Sequence, residues 1–167
     1  HLDLESENPL QMTASYESWR YKNRESKGKA NNANSYKWVP QGDIITFKDS
    51  IAFKNNGVQF YHRNRENTVF DVAVKQQKME SVEDEMMNPI VDLTFGGFMK
   101  GENLIPIGNY NGKYQGTDFR GFSLSSIKPS KKQSVEIYLN TSQFDFNTWK
   151  NGLQSLISLN KSNAKQA

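Results

Sequence analysis

The stretch Leu104–Asn140, LIPIGNYNGKYQGTDFRGFSLSSIKPSKKQSVEIYLN, constrains the fold more than any other part of the chain. It has alternating apolar runs broken by turn residues, and it predicts a three-strand meander. Ile105, Ile107 and Tyr110 lead into Asn111-Gly112, the dipeptide best suited to two successive positive φ values in a tight hairpin turn. Phe119 stands at an odd position and Phe122 and Leu124 at even ones. Strand side chains alternate faces, so these three share a face only if one residue is inserted between them, and Gly121 is where such a bulge would fit. Pro129, Ser130, Lys131 and Lys132 form the second turn. Beyond it Val135, Ile137 and Leu139 are expected to face a core, with Glu136 and Tyr138 in water.

Upstream, short extended pieces alternate with polar turns. Met12–Lys22 suits a first strand carrying Tyr16, Trp19 and Tyr21, and Tyr36, Trp38 and Val39 resume an extended segment that stops at Pro40. Residues 23–35, with Gly28 and four Asn, read as a mobile loop. Ile44–Phe47 and Ile51–Phe53 are strand signals. Asn55-Asn56-Gly57 is a turn, after which Val58, Phe60 and His62 share a face. Val69–Val74 reads as a strand with Phe70, Val72 and Val74 inward. At Glu80 the period changes: acids in a first turn and Asn88-Pro89 as a second start predict a kinked helix over 80–99, ending at the Gly96-Gly97 pair or at Gly101. Trp149, Leu153, Leu156 and Ile157 recur at helical spacing and predict a C-terminal helix over 146–160, capped by Asp145 or Asn147. The fold class expected is therefore α+β: an antiparallel β-sheet of about six or seven strands packed against a central kinked helix and a C-terminal helix.

A length of 167 residues fits one domain. The hydrophobic fraction is only 35%, yet 10 Phe, 7 Tyr and 3 Trp supply an aromatic core, which argues against disorder throughout. There is no cysteine, so disulfides, thiolate metal sites and cysteine nucleophiles are excluded. No apolar run approaches the ~20 residues that span a bilayer as a helix. Residue 1 is a histidine, and residues 1–11, HLDLESENPLQ, are expected to be a tag or vector remnant or the start of a processed chain, outside the fold. Residues 12–160 form the expected domain, and 161–167 a disordered tail.

The order of elements resembles the PsbP-like α/β sandwich group, and within it the DcrB-type envelope lipoproteins. A helix before the meander, the strand–NGK–strand turn at Asn111–Lys113, and a strand ending in Leu139-Asn140 before the last helix carry the resemblance, over residues 42–160. It implies a small, exported or envelope-associated, non-enzymatic domain that supports a larger complex. It supplies no catalytic residues.

The residues themselves offer little chemistry. His1 and His62 are the only histidines, and His62 beside Phe60 reads as a satisfied core or rim histidine. No serine lies in a Gly-x-Ser-x-Gly elbow. The acids Glu80, Glu83, Asp84 and Glu85 read as a favourable first helical turn, not as a metal site. The glycines at 96, 97 and 101 do not follow a strand and open a helix as a phosphate loop must. No catalytic residue, metal site or cofactor is therefore expected. The basic-aromatic set Trp19, Arg20, Tyr21, Tyr36 and Trp38, with Arg63 and Arg65, is the candidate partner-binding surface, since Trp, Tyr and Arg are the usual interface anchors. The expected function is a non-enzymatic protein-interaction or accessory module, part of a secretion, conjugation or other envelope complex, or an immunity-type binding protein. The alternative is binding of single-stranded nucleic acid through the 19–38 region. Nucleic acid is the less favoured partner, because alternating Trp19/Tyr21 and Tyr36/Trp38 also suit edge strands packed on a core.

Overall fold

A computed structural model describes residues 1–25, 45–65, 67–143 and 145–163, the side chains of 160–163 excepted. Tyr36, Trp38 and most of the loop expected at 23–35 lie outside the described residues, as do the last four positions of the tail. The class is α+β, with ten strands among the described residues. They are β1 (Leu2–Leu10), β2 (Thr13–Ser18), β3 (Arg24–Glu25), β4 (Ile45–Thr46), β5 (Ser50–Lys54), β6 (Gly57–Arg63), β7 (Thr94–Gly101), β8 (Leu104–Tyr114), β9 (Thr117–Ser126) and β10 (Ser130–Ser142). Two α-helices, α1 (Val69–Gln76) and α2 (Phe146–Asn163), and a 3-10 turn at Glu80–Glu85 complete the order. The strands form an antiparallel five-stranded sheet, β1-β10-β7-β6-β5, a three-stranded sheet, β2-β9-β8, and the short β3-β4 pair.

The two larger sheets pack face to face. Val58, Phe60, Met99 and Val135 from the first meet Leu104, Phe122 and Leu124 from the second in one buried cluster. Tyr16 stacks on Phe60 with ring centroids 3.9 Å apart, and Phe53 meets Phe122 edge-on at 5.7 Å. Aromatic pairs of these kinds add stability beyond their buried area. The other face of the five-stranded sheet is covered by α2: Trp149 and Leu153 pack on Phe98, flanked by Tyr61, Tyr138, Phe146 and Ile157. The Trp149 indole N–H donates to the Asn140 carbonyl at 2.9 Å, and the Asn140 amide donates to the Trp149 carbonyl at 2.7 Å. Asp145 caps α2, its Oδ1 accepting from the Asn147 and Thr148 amides.

Several expectations need correction. The stretch Leu104–Asn140 is three strands but not a meander. β8 and β9 are a hairpin, whereas β10 pairs with β7 and β1 in the other sheet. The hairpin turn is Gln115-Gly116, at φ 45° and 81°. Asn111 and Gly112 lie inside β8, opposite Arg120 and Phe119. There is no bulge at Gly121, which pairs in register with Tyr110; the irregularity lies between Pro106 and Gly108. Phe119 and Phe122 simply occupy opposite faces, because both faces of β9 are buried. Phe119 lies over Gly112 and packs on Trp19 and Tyr110, so it needs no place in the central core.

Helix and strand are exchanged over residues 69–101. Val69–Val74 is helical. The Asp71 carboxylate accepts from the Thr68 N–H at 2.6 Å and its hydroxyl at 2.9 Å, and this cap resolves an apolar run whose alternation fits either element. The expected kinked helix at 80–99 is a 3-10 turn followed by β7. Gly96 and Gly97 do not end a helix. They sit mid-strand opposite Tyr61 and Phe60, where a Cβ on Gly97 would lie 2.0 Å from the Tyr138 carbonyl oxygen. Of the features on which the PsbP-like resemblance rests, the NGK stretch lies inside β8 and is not a turn, and the helix that precedes the hairpin is α1 at Val69–Gln76, not 80–99. The expectation that residues 1–11 lie outside the fold also fails, since β1 pairs with β10, from Leu2↔Val135 to Leu10↔Ser130. Of the C-terminal stripe, Trp149, Leu153 and Ile157 face the sheet, but Leu156 remains 40% exposed. Helix α2 also runs three residues past the boundary expected at 160.

Candidate functional site

Among the described residues, Trp19, Arg20, Tyr21, Arg63 and Arg65 do not form one surface. β2 ends at Ser18, and the chain after it sends Trp19, Arg20 and Tyr21 to three different surroundings. Trp19 packs on Phe119 at 5.4 Å, on the side of the three-stranded sheet away from the core. Tyr21 lies beneath the guanidinium of Arg120, 5.3 Å away, and the ammonium of Lys22, 5.4 Å away. It lines an open groove of about 580 Å³ along β5 that also holds Lys48, Lys54, Lys150 and Phe146. Arg63 is tied to Asp92, 2.6 Å away, and donates to the Thr94 hydroxyl at 2.8 Å, so it holds the start of β7 in place.

Arg20 turns inward and meets two residues with no sequence motif to announce them. Its Nε donates to Asp49 Oδ1 at 2.9 Å. His62 Nδ1 lies 3.0 Å from the same oxygen, and the Ser18 hydroxyl donates to Asp49 Oδ2 at 2.9 Å. Burial acts to raise the Asp49 carboxyl, but the His62 hydrogen bond, the Arg20 charge and the Ser18 hydroxyl outweigh it and hold the group below its ordinary value. An ionised Asp49 only accepts hydrogen bonds, so Nδ1 of His62 carries the proton. His62 is buried, as expected for a satisfied histidine, yet Nε2 has no hydrogen-bond partner among the described residues. Beside this cluster, burial first and the Asp49 charge second push the Tyr16 hydroxyl up to about 12.

Two hollows flank the cluster. One, of about 180 Å³, is lined by Arg20, His62, Arg65, Asn64, Phe47 and Phe95 among others, so it unites two residues of the expected surface with one read as structural. The other, of about 240 Å³, lies between the sheets and is lined by Tyr16, Phe60, Phe95 and Leu139. It opens onto an uncovered part of the five-stranded sheet. Ile137 pairs with Met99 and Leu139 with Gly97, so both lie on the core-facing side. They are nonetheless 44% and 66% exposed, against 5% for Val135 on the same face. The expectation that all three are core is corrected for the outer two: three strands cannot cover five. Tyr138, expected in water, lies instead under α2.

The sequence pointed to Arg20 and Arg65 by charge alone. Asp49 lay hidden in the Lys48-Asp49-Ser50 break between strand signals. The only available hint of the cluster was that Asp49 and His62 pair across a short hairpin, which the Asn55-Asn56 turn made foreseeable. The acids at 80–85 sit in the 3-10 turn, and among the described residues no group of three or more His, Cys, Asp or Glu could hold a metal ion.

No curated protein and no solved structure matches the chain. A family model does match, over residues 1–167, that is, end to end. The chain belongs to the family described as "Domain of unknown function (DUF5703)".

Proposed function

We propose that this domain is a non-enzymatic protein-interaction module, and that its partner docks on the uncovered core-facing side of β10. One observation carries the reading: Ile137 and Leu139 lie on the face that the second sheet buries elsewhere, yet solvent reaches about half of their surface. Leu2, paired with Val135 on the same face, is also exposed. Apolar side chains grouped on one face mark interaction surfaces more often than apolar residues scattered singly. Strand β2 is the edge of the smaller sheet, and Tyr16 on it lines the same hollow as Leu139. An extended partner segment added to that edge would complete the smaller sheet and cover Ile137 and Leu139. A photo-crosslinking residue at position 139 should capture one discrete protein in extracts of the native host, and the same residue at exposed position 154 on α2 should not. Leu139→Lys should abolish the adduct formed from a crosslinker at neighbouring position 137. Absence of any adduct, or equal capture from 139 and 154, overturns the reading.

A second reading, single-stranded nucleic acid, draws on the groove of Tyr21, Lys48, Lys54, Arg120 and Lys150. None of these four cations has an acidic partner among the described residues, and aromatic rings beside unpaired cations suit bases and phosphates. Phosphate-dominated affinity falls steeply with salt, and each lost cation lowers the slope by about one unit. Titration with mixed-sequence oligonucleotides at physiological salt should show no appreciable binding. Micromolar binding with a steep salt slope, reduced by Lys54→Ala/Lys150→Ala, would favour nucleic acid over the protein partner.

A further inference from the structure

The hollow beneath Arg65 is the place where buried polar chemistry reaches solvent without being used up inside the fold. Arg65 is exposed, and its guanidinium rests 4.8 Å from the centre of the Phe47 ring with no ion-pair or hydrogen-bond partner among the described residues. Arg20 commits only Nε to Asp49 and lies 5.3 Å from the Phe95 ring centre, which leaves its two terminal nitrogens uncommitted among the described residues. His62, 8% exposed, lines the same hollow with Nε2 unpaired. Asp49 balances one of the two arginine charges, and the acids Asp92 and Asp71 are engaged elsewhere, by Arg63 and by Thr68 and Asn88, which leaves Arg65 without an acidic partner among the described residues.

From this arrangement we infer that the hollow is a binding site for a small organic carboxylate. Guanidinium groups present paired N–H donors that match the two oxygens of a carboxylate. The ring faces of Phe47 and Phe95 hold the arginines in place and give an apolar body somewhere to rest. Nε2 of His62, which has no partner among the described residues, is placed to exchange a hydrogen bond with a hydroxyl on the ligand. The volume, about 180 Å³, is below the ~300 Å³ at which drug-sized pockets begin, so the ligand is about the size of a single ring. The apolar walls favour a carboxylate with a carbon skeleton over a free inorganic anion. The site shares Arg20, His62 and Phe95 with the hollow beside Leu139, but Phe47 and Arg65 belong to it alone, so a failure at Arg65 leaves the protein-interaction reading untouched.

The test is an NMR titration of the isotope-labelled chain with benzoate, with inorganic phosphate as the second arm. Benzoate should give saturable shifts confined to the lining of the hollow, that is to Arg20, residues 45–47, 62, 64–65 and 67–69, Ile90 and Phe95. Because Arg65 is exposed, Arg65→Ala should stay folded and weaken benzoate about tenfold, the weight of one lost charge-assisted contact. Arg65→Lys should fall between the two, since an ammonium keeps the charge and loses the fork. Phosphate should bind more weakly than benzoate. The inference is overturned if no saturable shift develops by about 10 mM benzoate, where even a millimolar site would be mostly filled. It is equally overturned if the shifts map elsewhere, if phosphate binds as tightly as benzoate, or if Arg65→Ala binds as well as the parent chain.

Discussion

Gly112 and Gly116 stand four residues apart in one hairpin and are constrained by different physics. At Gly116 φ is 81° and nothing lies within 4 Å of an added Cβ. A side chain there meets only the backbone penalty, so Gly116→Ala should cost about 1 kcal/mol. At Gly112 the obstacle is steric: a Cβ would lie 2.2 Å from the Phe119 ring. Gly112→Ala should cost roughly 1–3 kcal/mol through overpacking. Denaturant titration of both in a Phe119→Leu background separates the two causes, since only the Gly112 penalty should shrink. Asp49 supplies a pH-dependent contribution. Its carboxyl is held low in the native state, so its stabilisation is present above the ordinary carboxylate value of about 4 and disappears as the pH falls through the depressed native one. Asp49→Asn should lose about 1–3 kcal/mol at pH 7, the range for losing one partner of buried hydrogen bonds. The difference from the parent chain should narrow in denaturation at acid pH; a constant gap would mean that the carboxylate charge contributes nothing.

At the scale of elements, α2 shows how little of an apolar stripe a sheet uses. Trp149 is fully buried and linked through Asn140 to β10, while Leu156, one residue before Ile157, keeps 40% of its surface in solvent. Trp149→Ala should cost about 3–5 kcal/mol, and Leu156→Ala should stay within about 0.5 kcal/mol. Equal losses in denaturation would mean that the helix sits on the sheet in a different rotation. The exchange of helix and strand over 69–101 has a local cause on each side. The Thr68–Asp71 cap fixes α1, whereas Gly96 and Gly97 let β7 run as a central strand between aromatic neighbours. Glycine pairs read from sequence as breakers; between close-packed strands they are what permits the approach.

Across the whole molecule, the N-terminal strands contribute very unequally. β1 is exposed along almost its entire length and pairs with β10 alone among the described strands, whereas β2 and the residue before it bring Met12, Ala14 and Tyr16 onto the central core. A chain beginning at Gln11 should keep a cooperative thermal transition and its near-ultraviolet dichroism. One beginning at Trp19 should lose both, because the Tyr16–Phe60 stack and one edge of the smaller sheet go with it. If the shorter truncation already abolishes the transition, β1 is holding the sheet together and is not a dispensable edge.

The sequence by itself determined the α+β class, the C-terminal helix with its cap at Asp145 or Asn147, and the Asn55-Asn56 hairpin with Val58, Phe60 and His62 on one face. All of these rest on local periodicity or on turn and cap chemistry within a few residues. Only the tertiary structure decided that β10 leaves its hairpin neighbours for the other sheet, that Leu2–Leu10 becomes an edge strand, and that Asp49 joins Arg20 and His62. Each of these depends on which strand lies alongside: β1 pairs with β10, and β2 with β9, across more than 100 residues. Alternation states that a residue has a buried side, but not which sheet buries it. For the same reason the sequence could mark Ile137 and Leu139 as apolar and inward, yet could not foresee that a three-stranded sheet would leave them uncovered.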